Sequence, residues 1–161
     1  MTSYERMVNR TERLGFNVYE LPLKNADGIV IGNNIAINKA LDEHKKRCVL
    51  AEELSHGLTN IGNITDQENT SNRKQEARAR RRCYQWLVSP SKLLRAYTAG
   101  ARTFEEFAEY LNVTEEFLQE SLLDIQKRRG YSIIIEGYRM TFQPFQIEKE
   151  NTSWSIERGL T

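Results

Sequence analysis

Three residues in the segment Val49–His56 have the types and spacing needed for metal-dependent hydrolysis. Glu52, Glu53 and His56 match the pattern His-Glu-x-x-His, except that Glu52 replaces the first histidine. In that pattern the two histidines bind zinc and the glutamate acts as general base. Residues four apart lie on one helix face, and zinc accepts both carboxylate oxygen and imidazole nitrogen. Glu52 and His56 are therefore candidate metal ligands, and Glu53, rotated by about 100°, is the candidate base.

A catalytic zinc site needs a third protein ligand and an open position for water. The downstream candidates are Asp66, Glu68 and Glu76. Residues 64–72 are polar and predict a loop, where rigid placement of a ligand is harder. Glu76 falls on the next predicted helix, which can fold back across the motif helix, so it is the favoured third ligand. The alternative for Glu76 is a solvated first-turn glutamate stabilised by the helix dipole.

The two adjacent carboxylates of the motif also have a metal-free interpretation. Glu52 and Glu53 stand among apolar residues, namely Val49, Leu50, Ala51 and Leu54. Burying an unpaired carboxylate is costly, so a metal ion or a cationic side chain is expected beside them. Arg78 or Arg80 would be that partner in a protein without metal.

The composition indicates one domain with a modest core. The 161 residues are 39% hydrophobic and 28% charged, with a net charge of +1, so no bulk electrostatic argument favours nucleic acid or membrane. No segment approaches the roughly 18–20 apolar residues of a membrane span, and the N-terminus has no secretory signal pattern. Cys48 and Cys83 fall in predicted helices, where we expect small buried hydrophobes in a reduced, cytoplasmic protein.

The elements that must position the motif are predicted from periodicity and turn residues. A helix over 3–14 is followed by a strand over 17–21 and two β-branched runs around Asn33-Asn34, which predict a tight hairpin in a small antiparallel sheet of about three strands. The motif helix is predicted from about Leu41 to about Ile61, with a core stripe at helical spacing: Leu50, Leu54, Leu58 and Ile61.

Four further helices and a hairpin are predicted after the motif helix. The helices cover 73–88, 91–99, 103–111 and 114–129, and Thr103 with Glu106 forms a capping-box pattern. Residues 131–142 predict a hairpin, and the last dozen residues a frayed tail. The chain is thus predicted to be α+β and mainly helical. We divide it into a core over 1–90, a helix-turn-helix-like part over 91–130, and a C-terminal hairpin and tail over 131–161.

The order of these motifs resembles the ImmA/IrrE family of zinc metallopeptidases, in the variant carried by prophages. The resemblance covers about residues 15–130 and rests on these segments: Gly28–Asn38, Arg47–His56, Asn72–Arg80, Phe104–Leu111 and Thr114–Leu123. It implies a zincin-like core with zinc bound by Glu52, His56 and Glu76, and with Glu53 as base. It also implies limited proteolysis of a phage or mobile-element repressor in a bacterial cytoplasm.

The chain departs from the family pattern at its first metal ligand, where Glu52 stands in place of histidine. Two carboxylate ligands would neutralise the charge of the ion and lower the pKa of its water less, so slow or narrow catalysis is expected. Arg81, Arg82 and Cys83 fill positions where relatives tend to place apolar residues. Tyr84 and His44 are candidate transition-state stabilisers, and neither is assigned.

Two other functions remain open from the sequence. A DNA-binding protein is suggested by the helix-turn-helix rhythm of Thr103–Gly130, but its second helix presents carboxylates that repel phosphate: Glu115, Glu116, Glu120 and Asp124. The basic run Arg78–Arg82 is a better phosphate candidate, although a solvated helical face also explains it. A non-catalytic module could instead bind a repressor through the acidic face Glu115–Asp124 without cleaving it.

Overall fold

The computed structural model describes residues 1–62 and 70–151, with the side chains of 1–60 and 73–151. These parts contain helices and strands in the following order: α1 (Ser3–Arg13), β1 (Asn17–Leu21), β2 (Gly28–Ile31), β3 (Asn34–Asn38), α2 (Glu43–Gly62), α3 (Thr70–Leu87), α4 (Pro90–Thr98), α5 (Phe104–Leu111), α6 (Glu115–Arg129), β4 (Ser132–Ile135), β5 (Tyr138–Phe142) and β6 (Phe145–Lys149). The predicted α+β, mainly helical fold is confirmed. Among the described helices, none is long and apolar enough to cross a bilayer.

The N-terminal sheet is mixed, with β3 between β1 and β2. The β2–β3 hairpin is antiparallel and turns at Gly32 with a positive φ of 59°, as the sequence predicts. The expectation of a purely antiparallel sheet is wrong, because β1 pairs with β3 in parallel. The β2 strand carries the chain back to the starting end, which a parallel pairing requires. Ile35 and Ile37, fully buried on β3, explain why β3 takes the central position.

Helix α2 packs between this sheet and α3. Asp42 accepts a hydrogen bond from the Lys45 backbone N–H (2.8 Å), which caps the helix start. Of the predicted stripe, Leu50 and Leu54 are completely buried and Leu58 is partly buried, while the side chain of Ile61 lies outside the described residues. At Gly57 the helix lies directly against the Phe16 ring, and an added Cβ would be 2.5 Å from a ring carbon. Glycine is therefore needed at that position for the observed packing.

The later helices begin at the capping residues that the sequence contains. The Thr103 hydroxyl accepts from the Glu106 N–H (3.1 Å) and the Glu106 carboxylate accepts from the Thr103 N–H (3.0 Å), which confirms the capping box. Thr114 caps α6 by accepting from the Phe117 N–H. Helix α3 starts at Thr70, so residues 70–72 are helical and not loop as predicted. The rest of the predicted loop, 64–69, lies outside the described residues.

The C-terminal sheet has three antiparallel strands in the order β4-β5-β6. The β4–β5 hairpin is confirmed, whereas β6 does not appear among the sequence predictions. This strand packs on a distant helix, because the Phe145 ring contacts the Phe107 ring of α5 edge to face, with 4.8 Å between the ring centres. Met140 and Phe142 join one buried cluster that also includes residues of α1 and α2. The division at 90 and 130 stays a prediction, and residues 152–161 of the predicted tail lie outside the described chain.

Candidate metal centre

Helix α2 presents Glu52 and His56 to one cavity, which we call the motif cavity. Its volume is about 420 Å³, and helices α3 and α6 supply the rest of its wall. The lining residues are Ala51, Glu52, Ser55, His56, Arg80, Cys83, Tyr84 and Glu120. The i, i+4 spacing therefore has the expected geometric consequence, since both side chains face the same space. Their role as metal ligands stays a prediction.

The Glu52 carboxylate sits in an electrostatically unfavourable position. Burial raises its pKa above the usual glutamate value, and the negative charge of Glu120 raises it further. Lys45 opposes this shift, while the flanking charges of Glu53 and Glu116 add to it. His56, by contrast, is exposed at the cavity. The cavity thus contains the half-buried Glu52 carboxylate, which is repelled by Glu120, and the accessible imidazole of His56. A cation bound in the cavity would relieve the repulsion between the two carboxylates.

Glu53 points to a different side of α2. An added Cβ at Gly28 would lie 2.9 Å from the Glu53 Cγ and 2.6 Å from a methyl carbon of Val49, so Glu53 packs against β2. Burial raises the pKa of its carboxyl, and the neighbouring charge of His56 partly offsets the rise. Glu53 is not among the described residues that line the motif cavity. The candidate base lies between the sheet and the cavity and not inside it.

Glu76 lies on α3, but its carboxylate is engaged by a neighbour. It accepts a hydrogen bond from Arg80 Nη2 at 2.9 Å, and both side chains are about half exposed. Arg80 itself lines the motif cavity one helical turn further on. Within the described part of the chain, no three His, Cys, Asp or Glu side chains are grouped to hold a metal ion. Asp66 and Glu68, the other candidate third ligands, lie outside it.

To join Glu52 and His56 at an ion, the Glu76 carboxylate must leave Arg80 and turn toward the motif cavity. Carboxylate and imidazole are donors that zinc accepts, and Glu76 is one turn from the cavity on a helix packed against α2. An exposed i, i+4 ion pair such as Glu76–Arg80 is worth about 0.3–0.5 kcal/mol. The pair alone is therefore a weak restraint on the position of the Glu76 carboxylate.

Arg80 and Tyr84 complete the polar wall of the motif cavity. The metal-free interpretation places Arg78 or Arg80 beside Glu52 and Glu53, yet the hydrogen bond found for Arg80 goes to Glu76. Tyr84 donates to Glu120 at 3.3 Å, and burial together with the Glu120 charge raises the pKa of its hydroxyl. A tyrosine held protonated can donate to an oxyanion. His44 instead lies 3.9 Å from Glu109 and is absent from the residues found to line the cavity.

Glu120 and Cys83 also line the motif cavity, a position that the sequence did not suggest for either residue. Glu120 appears in the sequence only as part of an acidic face, because nothing in its local pattern reveals that α6 packs against α3. Cys83 is free and buried, as predicted, and burial raises the pKa of its thiol to about 12. A thiol with that pKa stays protonated at neutral pH in the metal-free protein. Cys48 is also free and buried.

The fold and the motif cavity together define an α+β domain in which a glutamate–histidine pair on a central helix faces a cavity walled by two further helices. A family model described as Peptidase_M78, the IrrE N-terminal-like domain, matches residues 11–123. The chain belongs to this family, which confirms the resemblance to ImmA/IrrE proteins. No protein of curated function and no solved structure matches the chain significantly.

Proposed function

We propose that this protein is a zinc-dependent endopeptidase in which Glu52, His56 and Glu76 hold the metal and Glu53 acts as general base. The observation that carries the proposal is the convergence of Glu52 and His56 on one cavity, in a chain of a peptidase family. The repulsion between Glu52 and Glu120 supports it, because two carboxylates on one wall favour a cation between them.

The proposed chemistry gives separate roles to zinc, to Glu53 of α2 and to Tyr84 of α3. When bound, zinc supplies a Lewis acid that polarises the scissile carbonyl and acidifies water. Glu53 packs against β2 outside the motif cavity, so its carboxylate would turn toward the cavity to take the proton of the attacking water and pass it to the leaving amine. Tyr84, whose hydroxyl stays protonated, is the candidate donor to the oxygen that becomes negative. Slow turnover is expected, because two carboxylate ligands weaken the Lewis acid.

The substrate is proposed from the family resemblance. It is a repressor protein of a prophage or other mobile element, cleaved in the cytoplasm of the bacterial host. Cleavage would release the genes that the repressor silences. The identity of the substrate and the presence of the metal site are tested by separate experiments.

Metal analysis tests the metal site directly. The purified protein and its Glu52→Ala, His56→Ala and Glu76→Ala variants are loaded with zinc, desalted and analysed for metal content. About one zinc per chain is expected for the wild type, with strong loss in each variant. Glu115→Ala, an exposed acidic residue of α6 away from the cavity, is the matched control and should keep its zinc. Stoichiometric zinc in all three variants contradicts the assignment.

A non-catalytic repressor-binding module is the second candidate, and one observation favours it. The Glu76 carboxylate is paired with Arg80, so the described conformation presents two of the three ligands to the cavity. Co-incubation with the proposed repressor substrate separates the two functions. Fragments that disappear with a chelator support the peptidase, and a stable complex with intact repressor supports the binder.

DNA binding has weaker support than either candidate. The first turns of α6 carry Glu115 and Glu116, and Asp124 of the same helix pairs with Arg81 and Arg128 at 3.7 and 3.0 Å. Part of the basic run is therefore neutralised within the protein. A salt-dependent gel shift with duplex DNA would reverse this order of preference.

A further inference from the structure

A second cavity, of about 180 Å³, is lined by cations from three helices. We call it the basic cavity. Its charged residues are Arg6 and Arg10 of α1, Arg47 of α2 and Lys92 of α4. Trp86, near the end of α3, forms part of the wall, and no carboxylate is among the described residues that line it. Four positive charges thus converge on a space that no acidic side chain shares.

The ion pairs of the described chain leave these four cations out. The seven that are present join other residues. Burial lowers the pKa of Lys92 to about 8, and the charged neighbours that add to the shift are all positive, namely Arg47, Arg10 and Arg95. Burial also lowers the pKa of Arg47; Cys48 opposes this shift, and Arg6 and Arg10 add to it. The positive charge in the cavity is therefore not neutralised by the protein groups around it.

Neutral acceptors hold the cations in place. Arg47 Nη1 donates to the carbonyl oxygens of Leu111 and Asn112 at 2.5 and 3.3 Å, while its buried Nε has no hydrogen-bond partner among the residues described. Lys92 donates to the Trp86 carbonyl. These bonds orient the side chains and leave their positive charge uncompensated.

The two arginines of α1 are placed in the same way. Arg6 donates to the Met1 carbonyl and to Ser3 Oγ at 2.9 and 3.0 Å. The guanidinium of Arg10 lies 5.0 Å from the centre of the Trp86 ring. A guanidinium stacked on an aromatic ring keeps its N–H edge free to donate in the ring plane. Arg10 is exposed, and its contact with Trp86 places its guanidinium at the basic cavity.

The size and chemistry of the basic cavity indicate what it binds. Its volume equals that of roughly six waters at about 30 Å³ each, which suits one tetrahedral oxyanion with a few waters and is small for a whole nucleotide. Planar guanidinium groups donate bidentately to phosphate oxygens, and an ammonium group adds a point charge. Arg47 and Lys92 are partly buried and Arg6 and Arg10 are exposed, and the mutual repulsion of clustered cations is relieved when an anion joins them.

We propose that the basic cavity binds a phosphate-class oxyanion through Arg10, Arg47 and Lys92. The anion is either inorganic phosphate or the phosphate group of a small molecule. Because the three residues belong to α1, α2 and α4, a bound anion joins the helix that carries Glu52 and His56 to two others. The proposal is independent of zinc and of peptidase activity.

Titration of the full chain with inorganic phosphate tests the proposal. Calorimetry and thermal unfolding are measured with sodium phosphate and with sodium chloride at equal ionic strength. Saturable binding at one site and a higher melting temperature in phosphate are expected. Arg10→Gln and Lys92→Gln should each bind at least tenfold more weakly, which corresponds to about 1.4 kcal/mol. Arg13→Gln removes one exposed positive charge from the same helix α1 outside the cavity and should bind as the wild type does.

Adenosine monophosphate, as a second titrant, distinguishes the two sources of phosphate. Tighter binding of the nucleotide than of phosphate indicates that an organic phosphate extends from the cavity, and equal or weaker binding indicates the free ion. Wild-type protein that shows no saturable phosphate binding, or folded Arg10→Gln and Lys92→Gln variants that retain full affinity, overturns the proposal. The wild-type titration decides the question even where a variant fails to fold.

Discussion

Glu120 of α6 and Glu52 of α2 line the same cavity, and the charge of Glu120 adds to burial in raising the pKa of the Glu52 carboxyl. The two carboxylates are far apart in the sequence, and the packing of α2 and α6 brings them to the same cavity. The arrangement is unfavourable for the protein alone and favourable for a protein that holds a cation. Such a conflict between stability and local charge is typical of a functional site.

Glu52→Gln is therefore expected to stabilise the metal-free protein. A carboxyl whose pKa is raised on folding contributes instability that grows as pH increases from the ordinary glutamate pKa through the raised value. Removing its charge should raise the free energy of unfolding at pH 7 by about 0.5–2 kcal/mol, and the gain should vanish below about pH 4. Urea unfolding with chelator at several pH values measures this. Glu115→Gln is the control, and a destabilised Glu52→Gln protein would contradict the expectation.

Arg80→Gln should increase zinc affinity. The variant frees the Glu76 carboxylate from its ion pair and removes a positive charge from the motif cavity. The pair alone, at about 0.3–0.5 kcal/mol, accounts for roughly a twofold gain. Competition with a chromogenic chelator measures the affinity, and Arg82→Gln, exposed on the same helix, is the control. Unchanged or weaker zinc binding would argue against Glu76 as a ligand.

Gly28→Ala should impair catalysis more than metal binding. The new methyl would lie 2.6 Å from a Val49 carbon and 2.9 Å from the Glu53 Cγ, so the base must move. On the proposed function, kcat for repressor cleavage should fall by about tenfold or more, as misplacement of a catalytic group by roughly 1 Å can cost 10²-fold. Zinc content should be unchanged. Ile31→Ala, exposed on the same strand, is the control, and a loss of zinc in Gly28→Ala would point to general unfolding.

Lys92→Gln should change how stability depends on pH. The folded protein releases the Lys92 proton near pH 8, whereas an unfolded chain keeps it to about pH 10.4. The unfolded state binds more protons in that window, so the Lys92 contribution to wild-type stability rises with pH between these values. Without phosphate, the variant should be the more stable protein at pH 7, and its advantage should shrink by pH 10.

Urea unfolding of both proteins from pH 7 to pH 10 measures this difference. The buried thiols of Cys48 and Cys83, with pKa values raised to about 11 and 12, stay protonated in the folded state and titrate over this range only in the unfolded chain. Both proteins share this effect, so it cancels in the comparison. Lys39→Gln, an exposed lysine outside the basic cavity, is the control for the loss of one charge. An advantage of Lys92→Gln that stays constant over this range would contradict the expectation.

Features set by neighbouring residues could be predicted from the chain. The capping box of Thr103 and Glu106, the start of α6 at Thr114 and the common face of Glu52 and His56 all depend on contacts within four residues. Helix geometry determines such contacts wherever the helix forms. The Glu76–Arg80 pair also has i, i+4 spacing, so its signal is present locally as well.

Features that join distant segments could not be predicted in this way. The parallel pairing of β1 with β3, the docking of β6 on α5, and the arrival of Glu120 at the motif cavity depend on how whole elements pack. The basic cavity is the clearest case, because its cations are unremarkable in their own helices and become a site when three helices meet. The spacing of apolar residues predicts which face of each helix is buried. Which element covers that face depends on the sum of many weak packing contacts across the whole core, and no local pattern contains that information.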